Sequence, residues 1–335
     1  MLCGTSLAME TVKLGVAGVG HFGRYHALKA ASAPRAQLVG VYDINPERAR
    51  TVGWEAGAPP LPLEELIAAA DAIIVAAPAE AHFELAMAAM RAGRHVLIEK
   101  PISSTLAEAD ALAALALEQD VVLQIGHLER FSAAHGAVAT RMGQPLYIEA
   151  VRVAPFKPRG TDVSVILDLM IHDLDLVLAL VDAPIESVDA VGAAVASAHE
   201  DIANARVRFT NGCVATITAS RISLKTERRM RVFAQSGYLA VDFANRKLTA
   251  IARGKGRGIP VPGMPEFAVQ EMSWEDHDAL AAEHAGFVAS ILDGVPVVVD
   301  AAAGRRALDA ALAVKAAMDR SNAIVMASGL LAPLG

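Results

Sequence analysis

The sequence predicts a two-domain protein of the α/β class: a doubly wound parallel sheet, followed by an α+β domain with a large, mostly antiparallel open sheet. Its 335 residues exceed the ~250–300 residues at which a single hydrophobic core usually stops growing. Over residues 13–126 short apolar runs alternate with helical patterns, which is typical of a parallel sheet buried on both faces. Beyond residue 186, strand patterns follow one another directly. We therefore predict domains over residues 9–126 and 127–335, with the last helices able to pack back on the first domain.

The first domain is predicted to contain five buried strands. Their apolar runs cover residues 13–18, 37–43, 72–78, 95–99 and 121–126. Helical patterns lie between them, and Ser104 or Thr105 has the side chain of an N-cap for the last of these helices. Such an alternation brings the carboxyl ends of all the strands to one edge of the sheet.

The second domain is predicted to open with an apolar helix over residues 163–181. Strand patterns then cover residues 187–195, 203–210, 213–222, 229–235, 238–243 and 247–253. Turn dipeptides separate three pairs of neighbouring strands: Asn211-Gly212, Ser236-Gly237 and Asn245-Arg246. A Gly- and Pro-rich loop over residues 254–267 and two helices, over about 276–292 and 301–320, are predicted to complete the chain.

The composition excludes several functional classes. A net charge of −7 provides no basic surface for nucleic acid or an anionic membrane. The two cysteines are too few and too distant for a disulfide framework, and the ten histidines show no metal-ligand spacing. No apolar run is long enough to span a bilayer, and residues 1–8 read as an extension ahead of Met9. We therefore expect a cytoplasmic protein that binds a small molecule and no metal.

A glycine motif follows the first strand. Gly18-x-Gly20-x-x-Gly23 lies between that strand and the first helix, where such glycines allow a tight turn, close approach of a pyrophosphate and close packing of the helix. Because the first N–H groups of the helix face the phosphates, His21 and Phe22 in the same turn are predicted to contact the cofactor. The motif indicates a dinucleotide site in a Rossmann domain.

Asp43 ends the second strand, 20 residues after Gly23. A carboxylate at this position accepts hydrogen bonds from the adenosine ribose and repels a 2′-phosphate. Arg48 and Arg50 lie nearby, but the two residues directly after Asp43 are not basic. NAD is therefore the predicted cofactor, and NADP is the less favoured alternative.

Charged residues end the fourth strand. A buried strand rarely finishes in Glu99, Lys100 and Pro101, because desolvating an unpaired charge is costly. Ligands of doubly wound sheets bind at the carboxyl ends of the strands, so Lys100 is predicted to reach the nicotinamide end of the cofactor. A structural Glu99–Lys100 pair is the alternative. Further predicted cofactor contacts lie at or shortly after strand ends: Ala77, Pro78, His82, Glu99 and Gln124.

The helix of the second domain carries a polar stripe. Asp168 and His172 are four positions apart and Asp175 follows three later, which places them on one face of an α-helix. The helix is otherwise apolar, so we expect it to be buried. Asp168 could hold the imidazole in orientation and stabilise the imidazolium. Both are therefore candidate catalytic residues, with a histidine satisfied in the core as the alternative.

Together these motifs resemble the glucose–fructose oxidoreductase/inositol dehydrogenase/MocA-like family. The resemblance rests on strand–GVGHFG–helix, EKP after a strand, and D-x-x-x-H-D on the helix that opens the second domain. It covers essentially the whole chain. It implies an N-terminal Rossmann domain, a C-terminal open sheet often used for oligomerisation, and a Lys100 that precedes a cis-proline and contacts both the nicotinamide ribose and the substrate.

The activity that this resemblance implies is the NAD-dependent oxidation of a secondary hydroxyl of a sugar. In this expectation His172 removes the hydroxyl proton, helped by Lys100 and oriented by Asp168, while the cofactor takes the hydride. A free sugar or inositol dehydrogenase with the same residues is one alternative. A non-catalytic NAD-binding regulator is another, although such a protein needs only the glycine motif.

The substrate expectation depends on two loops. The stretch GHLERFSAA at residues 126–134 resembles the bacterial UDP-N-acetylglucosamine 3-dehydrogenase-like members, with Ser132 and Ala133 where those have Asn and Pro. Lys157 and Arg159 are the predicted contacts for a sugar-nucleotide diphosphate; the alternative is that both are solvated cations of the loop. Asp168 and His172 complete the predicted substrate contacts. Because the large amphipathic sheet needs a cover, we also expect a homodimer or homotetramer through it.

Overall fold

The computed structural model describes residues 11–139, 141, 143–157, 160, 163–253, 267–275 and 277–328. The chain divides into two compact units. The first comprises Met1–Phe131 and Asp278–Arg305, and the second comprises Ser132–His277 and Arg306–Gly335. The stretch from Asp278 to Arg305 belongs to the first unit because its apolar residues Phe287 and Val288 are buried in that unit's core.

A five-stranded parallel sheet forms the centre of the first unit, in the order β2-β1-β3-β4-β5. The strands are β1 Val12–Ala17, β2 Ala36–Tyr42, β3 Ala72–Val75, β4 His95–Glu99 and β5 Leu123–Gly126. The sequence Ala-Ile-Ile-Val of β3 is buried along its whole length, as expected where helices cover both faces. Strand order reverses between β1 and β3, and doubly wound sheets bind ligands at such a reversal.

Side chains cap the N-termini of some of the helices. In chain order they are α1 His21–Ser32, α2 Pro46–Ala56, α3 Leu63–Ala69, α4 Ala79–Arg91, α5 Leu106–Glu118, α6 Ala133–Ala139, α7 Ile171–Val181, α8 Ala279–Asp293 and α9 Ala301–Ala327. Thr105 is the N-cap of α5 and forms a capping box with Glu108. Asn45 accepts hydrogen bonds from two N–H groups at the start of α2. Within the described ranges, every helix is too short or too polar to cross a membrane.

An eight-stranded sheet forms the second unit, in the order β13-β12-β11-β10-β6-β9-β8-β7. Its strands are β6 Pro145–Val153, β7 Ile185–Ala193, β8 Ile202–Phe209, β9 Val214–Ser220, β10 Glu227–Ala234, β11 Gly237–Asp242, β12 Lys247–Arg253 and β13 Phe267–Ser273. Neighbouring strands are antiparallel except for the parallel pair β6–β9. One face packs against α7, with Ile148, Ile217 and Val177 in a common core.

The structure corrects two parts of the predicted second domain. The helix assigned to residues 163–181 opens with a π-helical turn, Ile166–Met170, and becomes α-helical at Ile171. The strands β6 and β13 were absent from the prediction. β13 lies at the sheet edge and pairs with β12 alone, and cross-strand pairing rather than intrinsic propensity determines such a strand.

Candidate active site

The glycine turn after β1 leaves a main-chain surface open to a ligand. Gly18 has φ +87°, and a Cβ on it would lie 2.6 Å from the main-chain nitrogen of Ala77. A Cβ on Gly23 would lie 1.9 Å from the carbonyl oxygen of Gly18, so only glycine permits α1 to pack this closely. A Cβ on Gly20 would meet nothing within 4 Å. The turn thus fits a pyrophosphate that approaches Gly20 and the first N–H groups of α1.

Asp43 ties the end of β2 to this glycine turn. Its Oδ2 accepts the N–H of Val19 at 2.9 Å and its Oδ1 accepts the N–H of Asn45 at 2.8 Å. The guanidinium of Arg48 approaches both oxygens at 3.4 Å. A carboxylate fixed beside the turn suits a ribose with free hydroxyls. The residues present therefore fit NAD.

Lys100 follows β4 in a turn that His82 connects to the turn after β3. The Lys100–Pro101 bond is cis, as the family resemblance implied, and Lys100 is half-buried. On α4, Nδ1 of His82 lies 2.8 Å from the carbonyl oxygen of Pro101 and Nε2 lies 2.7 Å from that of Ala77. Burial lowers the pKa of His82 although both carbonyl contacts oppose this. Through these two contacts His82 holds the two turns together.

Glu99 and Gln124 turn away from solvent and engage protein groups. Oε1 of Glu99 lies 2.8 Å from Nε2 of His26, and Nε2 of Gln124 donates to the main-chain oxygen of Glu283. The contacts of Glu99 and Gln124 with the cofactor stay predictions, and so do those of Ala77, Pro78 and His82. The same holds for His21 and Phe22, which are exposed at the start of α1.

Three polar residues in this region were absent from the predicted site: His26, Glu283 and His284. All three are buried. The signal available in the sequence was a Glu-His dipeptide within the otherwise apolar pattern of α8, and a histidine on α1 three residues after Gly23.

In the second unit, the π-helical turn carries Asp168 and leads directly to His172, the second residue of α7. Both side chains are half-buried, whereas Asp175 is buried. A Cβ on Gly160 would lie 3.1 Å from Oδ2 of Asp168, so this carboxylate faces the main chain of the preceding loop. π-helical turns inside helices are frequent at functional sites, and this one determines the relative direction of Asp168 and His172.

A buried ion pair anchors the start of α7. Nε and Nη2 of Arg152, on β6, donate to the two carboxylate oxygens of Asp173 at 2.9 Å and 3.1 Å. Asp173 is adjacent to His172 in the chain. Bidentate pairs combine strength with fixed geometry, so the pair restricts the first turn of α7. His172 is consequently a half-buried imidazole on an anchored helix, which suits the exchange of a proton.

Arg221 organises the loop that precedes the π-helical turn. Its guanidinium donates to the main-chain oxygens of Gly160, Val163 and Glu200 and forms an ion pair with Asp201 at 3.2 Å. The same loop carries the predicted substrate contacts. Lys157 is exposed there, and Arg159 lies outside the described residues.

Comparison with known proteins identifies the family of both units. Residues 12–127 match the model "Oxidoreductase family, NAD-binding Rossmann fold", and residues 133–240 match the GFO/IDH/MocA C-terminal domain. The chain is 44% identical over 316 residues to the UDP-N-acetylglucosamine 3-dehydrogenase of Acidithiobacillus ferrooxidans, covering 93% of this chain and 98% of that protein. It is 26% identical to the scyllo-inositol 2-dehydrogenase (NAD(+)) of Bacillus subtilis, over 86% of this chain and 89% of that one.

Solved structures agree with this assignment. A crystal form of the Acidithiobacillus ferrooxidans UDP-N-acetylglucosamine 3-dehydrogenase superimposes with a TM-score of 0.87 at 44% identity, covering 93% of this chain and 99% of that one. A Lactobacillus casei scyllo-inositol dehydrogenase with bound NAD(H) and scyllo-inositol shares the fold at 20% identity, with a TM-score of 0.77 and coverage of 93% and 98%. The glycine turn, Asp43 and both domain matches thus lead to one conclusion: the chain belongs to the GFO/IDH/MocA oxidoreductase family and is an NAD-dependent oxidoreductase of sugar hydroxyl groups.

Proposed function

We propose that the protein oxidises the C3 hydroxyl of UDP-N-acetylglucosamine to the 3-keto sugar. The observation that carries this proposal is the 44% identity to a UDP-N-acetylglucosamine 3-dehydrogenase over nearly the full length of both chains. The stretch GHLERFSAA supports the same substrate. The relatives that act on inositols are only 25–27% identical, so they support the reaction class rather than the substrate.

The proposed reaction removes a proton from the hydroxyl group and a hydride from the carbinol carbon. NAD, when bound, accepts the hydride from the carbinol carbon. We assign the hydroxyl proton to His172, whose half-buried ring can exchange it. Asp168 orients this ring and stabilises its protonated form, and the ammonium of Lys100 stabilises negative charge that develops on the substrate oxygen. Gly18, Gly20, Gly23 and Asp43 hold the cofactor in this proposal.

The uridine diphosphate is assigned to the loop between β6 and the π-helical turn. Lys157 is exposed in this loop, so its ammonium is available to a diphosphate. Arg159 would provide a second cation. Cations on a loop recognise phosphate as point charges or, for arginine, as a planar fork, which makes both side chains candidates for affinity rather than for catalysis.

The test is a substrate panel read by the near-ultraviolet absorbance of NADH. Purified protein with NAD is mixed with UDP-N-acetylglucosamine, other UDP-sugars, free hexoses and inositols. Lys100→Met, His172→Ala and Asp168→Asn are each expected to lower kcat by about 10²–10⁴-fold, while Lys157→Met raises KM for the UDP-sugar. Lys315→Met and His199→Ala, which change a partly exposed lysine and an exposed histidine, serve as matched controls.

The outcomes separate the alternatives. Turnover of UDP-N-acetylglucosamine that the three variants lose supports the proposal. Turnover of free sugars or inositols alone would contradict the nucleotide-sugar substrate and keep the reaction class. Binding of NAD without turnover of any compound would contradict the enzymatic role and favour a regulator.

We further propose that the protein is cytoplasmic and forms a homodimer or homotetramer through the second unit. In support, the sheet exposes apolar side chains that a partner could cover, among them Leu146, Val191 and Phe233. Phe233 also packs against the rings of Tyr147 and Tyr238. Light scattering of the wild type and of Leu146→Lys/Phe233→Lys tests the interface: the variant is expected to shift to a smaller species.

A further inference from the structure

A cluster of buried polar side chains lies in the first unit beside the turn that carries Lys100. Its members come from two helices and two strands of this unit: His26, Glu99, Gln124, Glu283 and His284. Each is at most 8% exposed. Burying this many polar groups is costly unless they bond to one another, so their hydrogen bonds define their protonation states.

The two histidines form a chain that ends on Glu99. Nε2 of His26 lies 2.8 Å from Oε1 of Glu99, and Nδ1 of His26 lies 2.9 Å from Nε2 of His284. When His26 donates to Glu99, its Nδ1 is free to accept the Nε2–H of His284. The Nδ1 of His284 then carries a lone pair and no hydrogen, which agrees with its lack of a partner in the part of the chain that the structure describes. Any other arrangement leaves a buried N–H on His284 without an acceptor. The chain therefore directs an N–H at Glu99, which is a carboxylate.

Glu283 is the candidate for a neutral carboxyl group in the cluster. Among the described residues, neither of its carboxyl oxygens has a hydrogen-bond partner, and the side-chain oxygen of Gln124 has none either. The cluster thus contains an excess of acceptors, and a proton on Glu283 provides the missing donor. Complete burial raises the pKa of Glu283 well above its ordinary value, and the negative charge of Glu99 raises it further.

A metal ion is the competing occupant, because the ligand atoms of His26, Glu99 and Glu283 lie within 4.8 Å of one another. Both ring nitrogens of His26, however, already have hydrogen-bond partners. A metal would have to displace the proton between His26 and Glu99. The hydrogen-bond distances thus favour a proton network over a metal centre.

Glu99 transmits this arrangement to Lys100. Its second oxygen, Oε2, accepts the main-chain N–H of Lys100 at 3.2 Å. Across the neighbouring strand, a Cβ on Gly126 would lie 2.9 Å from Oε1 of Glu99, so the carboxylate is enclosed on that side as well. The orientation of Glu99 therefore determines the main-chain position at which Lys100 leaves β4.

We propose that His26, His284 and Glu283 are positioning residues that hold Glu99 as a buried carboxylate and thereby fix the turn that presents Lys100 to the substrate. This inference rests on the proposed role of Lys100. The titratable groups that face the cluster come from four elements and would contribute to any pH dependence: His26 and Lys29 on α1, His82 on α4, Glu99 and Lys100 at the end of β4, and Asp278, Glu283 and His284 at α8.

The first test removes the donor to Glu99. His26→Phe keeps an aromatic ring and is expected to lower kcat by about 10–100-fold, because a buried carboxylate loses its hydrogen bond. The acidic limb of the pH–kcat profile is expected to move to higher pH, while KM for NAD changes little. His26→Gln, whose amide can donate to Glu99, is expected to restore most of kcat. His284→Phe removes the hydrogen bond between His284 and His26, one step further from Glu99, and is expected to give a smaller effect in the same direction. If His26→Phe does not fold, His284→Phe provides the test instead. His199→Phe is the matched control.

The second test reads Glu283 directly and does not depend on the activity. The infrared difference spectrum between wild type and Glu283→Gln at neutral pH is expected to show the carbonyl stretch of a protonated carboxylic acid. Absence of this band overturns the assignment, as does stoichiometric metal in the purified protein with chelator-sensitive activity. Unchanged kcat and pH profile in a folded His26→Phe also overturn it. If Lys100→Met proves fully active while the infrared band is present, the proposed function fails at Lys100 and the proton network stands without a role in positioning it.

Discussion

Buried carboxyl groups in the two units differ in the donors around them. In the second unit, Asp173 receives two hydrogen bonds from Arg152, and Asp201 receives main-chain N–H groups together with an ion pair to Arg221. In the first unit, Glu283 is equally buried and receives no hydrogen bond from any residue that the structure describes. Asp201 and Glu283 are both shielded from solvent, and the supply of donors differs.

This difference moves the pKa values of Asp201 and Glu283 in opposite directions. Burial alone would raise the pKa of Asp201, but the N–H groups of Ala196, Val195 and Ser197 outweigh it and hold the pKa at about 2. For Glu283 burial acts unopposed, and the pKa is raised well above its ordinary value. The comparison teaches that local donors can outweigh the effect of burial on the pKa of an acid. Four variants test it.

The largest effect is expected from Arg152→Met. This change leaves Asp173 as a buried charge without its guanidinium partner, and breaking a buried pair in this way costs about 3–5 kcal/mol of unfolding free energy. Urea unfolding measures the loss. The double variant Arg152→Met/Asp173→Leu should recover most of it, because the unpaired charge is gone. A single variant as stable as the wild type would show that Asp173 finds other donors.

Asp201→Asn is expected to have the next largest effect. The pKa of Asp201 falls from 3.8 to about 2 on folding, which corresponds to about 2 kcal/mol at neutral pH. Because the folded pKa is the lower one, this stability is fully present above the unfolded value and disappears as the pH falls through about 2. Thermal unfolding across that range should show wild type and variant converging at low pH. A constant difference at all pH values would contradict this account.

Glu283→Gln should change the stability with a pH dependence opposite to that of Asp201→Asn. The folded pKa of Glu283 is raised, so its contribution to stability is present below the unfolded value of 4.5 and is lost as the pH rises toward the folded pKa. Within that window each pH unit costs the wild type about 1.4 kcal/mol relative to the variant. Melting temperatures of both proteins measured from acid to alkaline pH should therefore diverge as the pH rises, and parallel curves would mean that Glu283 ionises normally.

The smallest effect is expected from Asp293→Asn. Asp293 pairs with Arg35 near the protein surface, with both side chains partly exposed, where solvent and salt screen the attraction. The melting temperature should stay within error of the wild type at any pH above the titration of this carboxyl. A marked loss would mean that exposed donors matter here as much as buried ones, which would weaken the comparison between the units.

Much of the fold was predictable because local patterns and long-range packing agreed. The apolar runs of β1 to β5 and the capping box at Thr105 are local signals, and the hairpin at Asn211-Gly212 follows from the positive φ of Gly212. By contrast, β13 depends on an edge pairing with β12. The π-helical turn at Asp168 also left no local signal, because one extra residue in a helical turn does not change the apolar pattern enough to be recognised.

The candidate site likewise contains residues that the sequence indicated and residues that it did not. Gly18, Gly20, Gly23, Asp43, Lys100 and His172 were recognisable because each belongs to a short motif whose spacing follows from the chemistry of the cofactor or of proton transfer. Glu283 and His284 belong to no such motif. They follow Lys100 by about 180 residues in the sequence, and a helix must pack on the sheet before their side chains enter the cluster around Glu99.

The sequence by itself therefore determined the fold class, the dinucleotide turn, the preference for NAD and the candidates for the catalytic residues. These depend on interactions between residues close together in the chain, or on the chemical nature of single side chains. The tertiary structure alone decided that Glu99 bonds to His26, that Arg152 anchors α7 through Asp173, and which buried carboxyl groups have a lowered or a raised pKa. The physical reason is that a proton's position depends on the donors and acceptors around it, and folding brings those groups together from distant parts of the chain.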